Sequence, residues 1–178
     1  MLYFITSNVN KFREVSSILP GIEQLDAELP EIQSIEPREI IEAKLKEALH
    51  HRKGEFIVED TSLYLECINK LPGPFIKFFL QSIGPKGIFE IAEKFGNFKA
   101  RAVSHLGYAR SEDEIYFFEG EVLGEVVQPR TSDFGWNSIF KPDGYEQTFS
   151  QMSLEEKMKI NHRSRAVKKL KEFLSVKG

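Results

Sequence analysis

The apolar residues of this chain change period repeatedly, from short unbroken runs to helical spacing and back, and each change marks an element. Met1 to Thr6 opens with an apolar run that predicts a short buried strand. Asn10 to Leu19 carries Phe12, Val15, Ile18 and Leu19 on one side of a helix, which Pro20-Gly21 ends. Ile22 to Asp26 reads as a second strand, and Pro37 to Arg52 places Ile40, Ile41, Leu45, Ala48 and Leu49 at helical spacing. Phe56 to Val58 is an apolar run leading into Glu59-Asp60-Thr61, the pattern of a buried strand ending in a loop. Extended structure then resumes over Leu63 to Cys67.

Leu71-Pro72-Gly73-Pro74 introduces a compact helix over Phe75 to Ile83, and Pro85 to Phe95 reads as another. Phe98 to Ala109 and Ile115 to Val127 predict two long strands, with Ser111-Glu112-Asp113 as their turn and Gly120 as a bulge. Ser153-Leu154-Glu155-Glu156 is a capping box opening a short helix. The last helix, Arg163 to Leu174, keeps Ala166, Val167, Leu170, Phe173 and Leu174 on its inner side. Early strand–helix alternation followed by a long hairpin points to an α/β or mixed α+β fold with a mixed sheet. At 178 residues the chain is one domain, or one domain with two lobes.

Composition narrows the function classes. Lys and Arg number 24 against 27 Asp and Glu, for a net charge of −3, and no long basic run occurs. That argues against a dedicated nucleic-acid binder, although a few lysines in one place still suit a small polyanion. The single Cys67 excludes an internal disulfide, no Cys/His cluster has zinc spacing, and a reducing cytoplasm fits. The start, MLYFITSN, turns polar too soon for a signal peptide, and no apolar run is long enough to span a bilayer.

Five sets of residues carry candidate chemistry. Thr6-Ser7-Asn8-Val9-Asn10-Lys11 turns a strand end into a helix, where free N–H groups favour phosphate. The other reading makes Ser7, Asn8 or Asn10 an N-cap and Lys11 a lysine that snorkels to water. In Glu59-Asp60, strand alternation sends one carboxylate into any cleft and the other away from it. Magnesium takes one or two carboxylates plus phosphate oxygens and water, so Asp60 with a second acid is a metal candidate; a turn-forming Asp is the alternative. Lys44 falls inside the apolar arc of its helix and should reach a partner or a polar cavity, whereas Lys77 and Lys157 read as surface residues. Trp136 and Phe134 flank Gly135 in a loop, where an aromatic stacks on a purine or folds back onto the core. Finally, His162 and Arg163 stand in the first turn of the last helix, on the same side as Ala166 and Val167 and against the helix dipole. An anionic or hydrogen-bond-accepting partner explains them better than helix stability does.

Taken together, Thr6-Ser7-Asn8…Lys11, Leu29-Pro30-Glu31, Glu59-Asp60-Thr61, Leu71-Pro72-Gly73-Pro74-Phe75-Ile76-Lys77 and nearly all of Phe134 to Arg165 resemble the inosine/xanthosine triphosphate pyrophosphatase family. These segments follow the family's order over almost the whole chain. The resemblance implies an elongated mixed β-sheet flanked by helices, two lobes with a central cleft, and a homodimer. It implies magnesium-dependent hydrolysis of ITP, dITP and XTP to the monophosphate and pyrophosphate. By position, Thr6, Ser7, Asn8, Lys11 and Thr61 would contact the substrate, Lys44 and Lys77 would neutralise phosphate charge, and Glu31 and Asp60 would hold Mg²⁺. Asp60 would also accept the proton. Phe134, Gly135, Trp136, Asn137, Lys157, His162 and Arg163 would form the purine pocket, with His162 and Arg163 donating to the 6-keto oxygen that adenine lacks.

Two departures stand out. Asn137 occupies the position where the family usually has Asp, which leaves base preference less defined than reaction type, and Asn161 replaces a frequent Ser. A nucleotide-binding regulator that has lost catalysis, and a pyrophosphatase for other modified nucleotides, are the rival expectations.

Overall fold

The computed structural model describes residues 1–27, 29, 31–133 and 135–177, with the backbone alone at Lys177. Phe134 and Pro30, both named in the motifs above, lie outside the described residues. Among the described residues, seven strands and five α-helices follow the order β1 (Leu2–Ile5), α1 (Val9–Ile18), β2 (Glu23–Leu25), α2 (Pro37–His51), β3 (Glu55–Leu65), β4 (Pro72–Gly73), α3 (Ile76–Phe95), β5 (Lys99–Ser111), β6 (Glu114–Val126), β7 (Phe140–Pro142), α4 (Leu154–Ile160) and α5 (His162–Lys177). The strands pair in the order β2-β1-β3-β5-β6-β7, with β4 on β3. The sheet is mixed: β1 runs parallel to β2 and β3, whereas β4 and β7 pair antiparallel with β3 and β6. This is the α/β architecture the alternation predicts.

The chain divides into two compact units, the first made of Met1–Thr61, Ser104–Gly120 and His162–Gly178, the second of Ser62–Val103 and Glu121–Asn161. In the first unit the sheet is covered on both faces, so β3 alternates between two apolar clusters rather than between core and water. Ile57 packs with Phe4, Val15, Leu19, Leu106 and the α5 residues Ala166, Val167 and Leu170. Phe56 and Val58 point the other way, into a cluster with Ile41, Leu45 and Ala48 of α2. The second unit buries Leu63, Leu65, Ile88, Val122, Phe140 and Phe149 around its part of the sheet.

One sequence expectation is revised. β3 does not stop before Glu59-Asp60-Thr61 but runs through to Leu65. Glu59 and Thr61 need no loop because other side chains satisfy them within the strand, as described below. Phe75 to Ile83 and Pro85 to Phe95 are segments of α3, separated at Gly84, whose φ of 67° and ψ of 177° break the helix just before Pro85. Gly120 earns its place by close approach: a Cβ there would stand 1.9 Å from the His162 carbonyl oxygen and 2.5 Å from the Ala166 nitrogen. Only a glycine lets the start of α5 lie that close to β6. The short strand β7 was not expected, because three residues carry too little periodicity to register. The capping box forms as read: the Ser153 hydroxyl accepts from the Glu156 N–H, and the Glu156 carboxylate accepts from the Ser153 N–H at 2.9 Å.

Candidate active site

The site in the first unit begins where β1 ends. The parallel register pairs Leu2 with Glu55 and Phe4 with Ile57, so the chain leaves β1 beside Val58 and Glu59 while β3 continues past it. Thr6 follows, its N–H donating to the Leu25 carbonyl and its hydroxyl oxygen accepting from the Asn8 N–H. Asn8 is the N-cap of α1: its side-chain oxygen accepts from the N–H groups of Asn10 at 3.0 Å and Lys11 at 3.1 Å. The capping reading of this motif therefore holds for Asn8, and Ser7 and Asn10 are exposed. The snorkelling reading of Lys11 does not hold. Its ammonium lies 2.8 Å from Glu59 Oε2 and the side chain is only 25% exposed.

Glu59 is the centre of a buried polar network. Its Oε1 accepts from the Ser104 hydroxyl at 2.8 Å, the Thr61 hydroxyl at 2.9 Å and Arg163 Nε at 3.2 Å. Arg163 also donates through Nη2 to the Thr61 hydroxyl oxygen at 3.3 Å, and its Nη1 pairs with Glu14 Oε2. Burial alone would raise the Glu59 carboxyl, yet Arg163 and Lys11 outweigh it and hold the group well below the usual carboxylate range. Burial would likewise lower the Arg163 guanidinium, but Glu59 and Glu14 raise it. Two acids and two bases thus balance in charge, which burial at this depth requires. The anionic partner that the basic start of α5 calls for is internal. Arg163 spends three of its N–H groups on Glu59, Glu14 and Thr61. His162 is buried beside it at the head of α5.

Strand alternation turns Asp60 to the opposite face from Glu59, the face that Phe56 and Val58 share with α2. Among the described residues, no hydrogen bond or ion pair engages its carboxylate. Burial pushes the Asp60 carboxyl above its ordinary value; Lys11 and Lys44 pull it down, Glu59 adds to the rise, and His105 opposes it. Lys44, on the inner side of α2 and 12% exposed, finds the partner its position demands in Glu31, at 2.9 Å. His105 on β5 is buried, with Nδ1 3.0 Å from the Glu119 carboxylate.

These groups bear on the implied magnesium. Among the described residues no cluster of three or more His, Cys, Asp or Glu forms a dedicated metal cage. Glu59 is unsuited as a ligand because both its oxygens are taken. Asp60 suits the role: a half-buried carboxylate with its lone pairs unspent, close enough to two lysines to feel their charge. Magnesium, which keeps most of its shell for water and phosphate oxygens, needs no more than one or two such protein ligands. The residues present fit it.

In the second unit, Gly135 begins a loop whose N–H donates to the Asp133 carboxylate, and Trp136–Ser138 forms one 3₁₀ turn. Trp136 packs edge-on against Phe140 and Phe149, at 5.7 and 6.2 Å between ring centroids, so it folds back on the core while staying half-buried. Asn137 is half-buried beside it. Lys77 is exposed on α3, as its polar-edge position predicts, and Lys157 is half-buried on α4.

The Ham1 family model matches residues 2–173 of the chain. This protein belongs to the Ham1 family. An inosine triphosphate pyrophosphatase of Schizosaccharomyces pombe is 40% identical over 178 residues, covering 97% of this chain and 94% of that one. Two solved Ham1 proteins share the fold. The Staphylococcus aureus Ham1 protein superposes with a TM-score of 0.81 at 22% identity over the full length of both chains. A Coxiella burnetii HAM1 protein gives 0.83 at 20% identity, over 98% of this chain and 99% of that one.

Sequence reading of this Ham1 chain missed Glu14, Ser104 and His105 as parts of the site. Glu14 left a faint signal: an acid three residues after Lys11, next to the buried Val15, on a helix otherwise apolar on that side. Ser104 and His105 left none, since they meet Glu59 and Asp60 only across neighbouring strands. Strand alternation predicts that Glu59 and Asp60 take opposite faces. Glu59 does turn to the other face from Asp60, where it meets Lys11.

Proposed function

We propose that this chain hydrolyses deaminated purine nucleoside triphosphates (ITP, dITP and XTP) to the monophosphate and pyrophosphate. Membership of the Ham1 family and 40% identity to an inosine triphosphate pyrophosphatase over nearly all of both chains support the reaction class. The observation that carries the proposal is the half-buried Asp60 carboxylate, adjacent in β3 to the Glu59 that pairs with Lys11 at 2.8 Å and on the strand face that packs against α2, the helix of Lys44. Phosphoanhydride cleavage asks for positive charge along the polyphosphate and a base for the attacking water, and this arrangement offers both.

In this reading Lys11 and Lys44 bind the triphosphate, with Thr6, Ser7, Asn8 and Thr61 as further contacts. Asp60 accepts the proton of the nucleophilic water, its upward shift bringing it nearer to the working pH than an ordinary aspartate. Asp60 and Glu31 would hold Mg²⁺, which supplies neutralisation of phosphate charge and polarisation of water when bound. Glu31 would have to leave Lys44 to do so, freeing that ammonium for a phosphate oxygen. Arg163 and His162 are proposed as base contacts. Lys77, Phe134, Gly135, Trp136, Asn137 and Lys157 are assigned to the substrate on the family resemblance alone. A homodimer and a cytoplasmic setting belong to the same proposal; no described helix is long and apolar enough to cross a membrane.

The test is a steady-state panel of ITP, XTP, GTP and ATP with product identification. Pyrophosphate from ITP and XTP at kcat/KM well above that for ATP is the expected result. Equal turnover of ATP would remove the selectivity, and orthophosphate as the first product would remove the reaction.

A further inference from the structure

We propose that Glu59, to which the family resemblance assigns no role, is a positioning residue that fixes the Lys11 ammonium for polyphosphate binding. The inference rests on the reading that Lys11 contacts the triphosphate, and it names what makes that contact possible.

The two oxygens of Glu59 are used differently. Oε1 is held by three donors, Ser104 at 2.8 Å, Thr61 at 2.9 Å and Arg163 at 3.2 Å. Three donors from two strands and a helix leave the fully buried carboxylate a single orientation. Oε2 faces the Lys11 ammonium at 2.8 Å. If Glu59 served only to neutralise Arg163, Glu14 would already suffice, because Glu14 pairs with the same guanidinium. The charges sort into two neutral couples: Arg163 with Glu14, both buried, and Glu59 with Lys11, of which only the lysine reaches the surface.

A free lysine carries a flexible four-carbon stem whose freedom is lost whenever it grips an anion. Here that freedom is already reduced, because the ammonium stands 2.8 Å from the immobile Oε2 while an ammonium carries three N–H donors to offer an outside acceptor. Lys11 also sits in the first turn of α1, just after the Asn8 cap, so its Cα is fixed as firmly as its tip. Both ends of the side chain are anchored, one by the helix and one by Glu59. This is preorganisation of a cation before the polyanion arrives.

A double-mutant cycle tests it. Calorimetry with metal-free inorganic tripolyphosphate would compare the parent, Lys11→Met, Glu59→Gln and the double variant, with thermal midpoints recorded for each. Glu59→Gln keeps the shape but turns an N–H toward the ammonium. It should weaken Kd by about tenfold, as Lys11→Met does, and the double variant should be no weaker than Lys11→Met by more than about twofold. Costs that multiply in the double variant would show that Glu59 acts independently of Lys11, which overturns the proposal. Should Glu59→Gln fail to fold, Ser104→Ala takes its place in the cycle. That change removes one Oε1 donor without altering charge, and its smaller effect, about threefold, should likewise vanish in the Lys11→Met background. A Ser104→Ala cost that persists there contradicts the idea. Turnover of ITP by the parent is read separately. Its absence would reject the enzymatic proposal, whereas missing coupling in Kd would reject only the role of Glu59.

Discussion

Asp60 and Glu59 are neighbours in the chain and opposites in chemistry, because alternation sends them to different faces of one strand. On one face Arg163 and Lys11 hold Glu59 ionised; on the other, burial raises Asp60. Asp60→Asn should lower kcat for ITP by at least ~100-fold, the low end for losing a general base or metal ligand, with an unchanged thermal midpoint. Activity near that of the parent would take Asp60 out of the chemistry. Glu59 predicts a pH effect on stability instead. Its folded value lies below the unfolded one of about 4.3, so its contribution is complete above that pH and is lost as pH falls toward the folded value. Urea titrations from pH 6 to pH 3 should therefore show a steeper loss for the parent than for Glu59→Gln. Parallel curves would mean that the carboxylate is not held as described. Arg163→Ala should cost about 3–5 kcal/mol, since it leaves Glu14 buried without its cation. A shift in ITP/ATP preference in that variant is readable only if a urea melt shows it still folded.

At the scale of elements, what the sequence disclosed depended on how local the cause was. α1, α2 and the β5–β6 hairpin follow directly from periodicity, and the cap at Asn8 and the box at Ser153 are chemistry of adjacent residues. β3 was read too short for an equally physical reason. Glu59-Asp60-Thr61 looks like a loop in sequence because Ser104, Lys11 and Arg163, which satisfy Glu59, arrive from three other elements. The basic first turn of α5 was correctly read as seeking an anion, yet the anions, Glu14 and Glu59, come from helix and strand far back in the chain. Gly120 illustrates the same limit, since its need for a bare Cα is set by His162 and Ala166, more than forty positions on. Gly120→Ala should destabilise the protein by about 1–3 kcal/mol in urea melts, the usual range for overpacking. An unchanged midpoint would mean that α5 is not seated against β6 as the structure has it.

For the whole molecule, the fold gathers the charges proposed to bind polyphosphate in one unit, built from three separate stretches of chain. Lys11, Lys44, Glu59, Asp60 and Arg163 span more than 150 positions in sequence, yet all belong to the first unit. That convergence explains why each motif was weak alone and why their order along the chain carried the reading. The second unit carries Gly135, Trp136 and Asn137. Product analysis reads the proposed phosphoanhydride cleavage most directly. Incubation with ITP and Mg²⁺, followed by separation of nucleotides and phosphates, should give IMP and pyrophosphate in equal amounts. Inosine diphosphate with orthophosphate, or unchanged ITP, would contradict it.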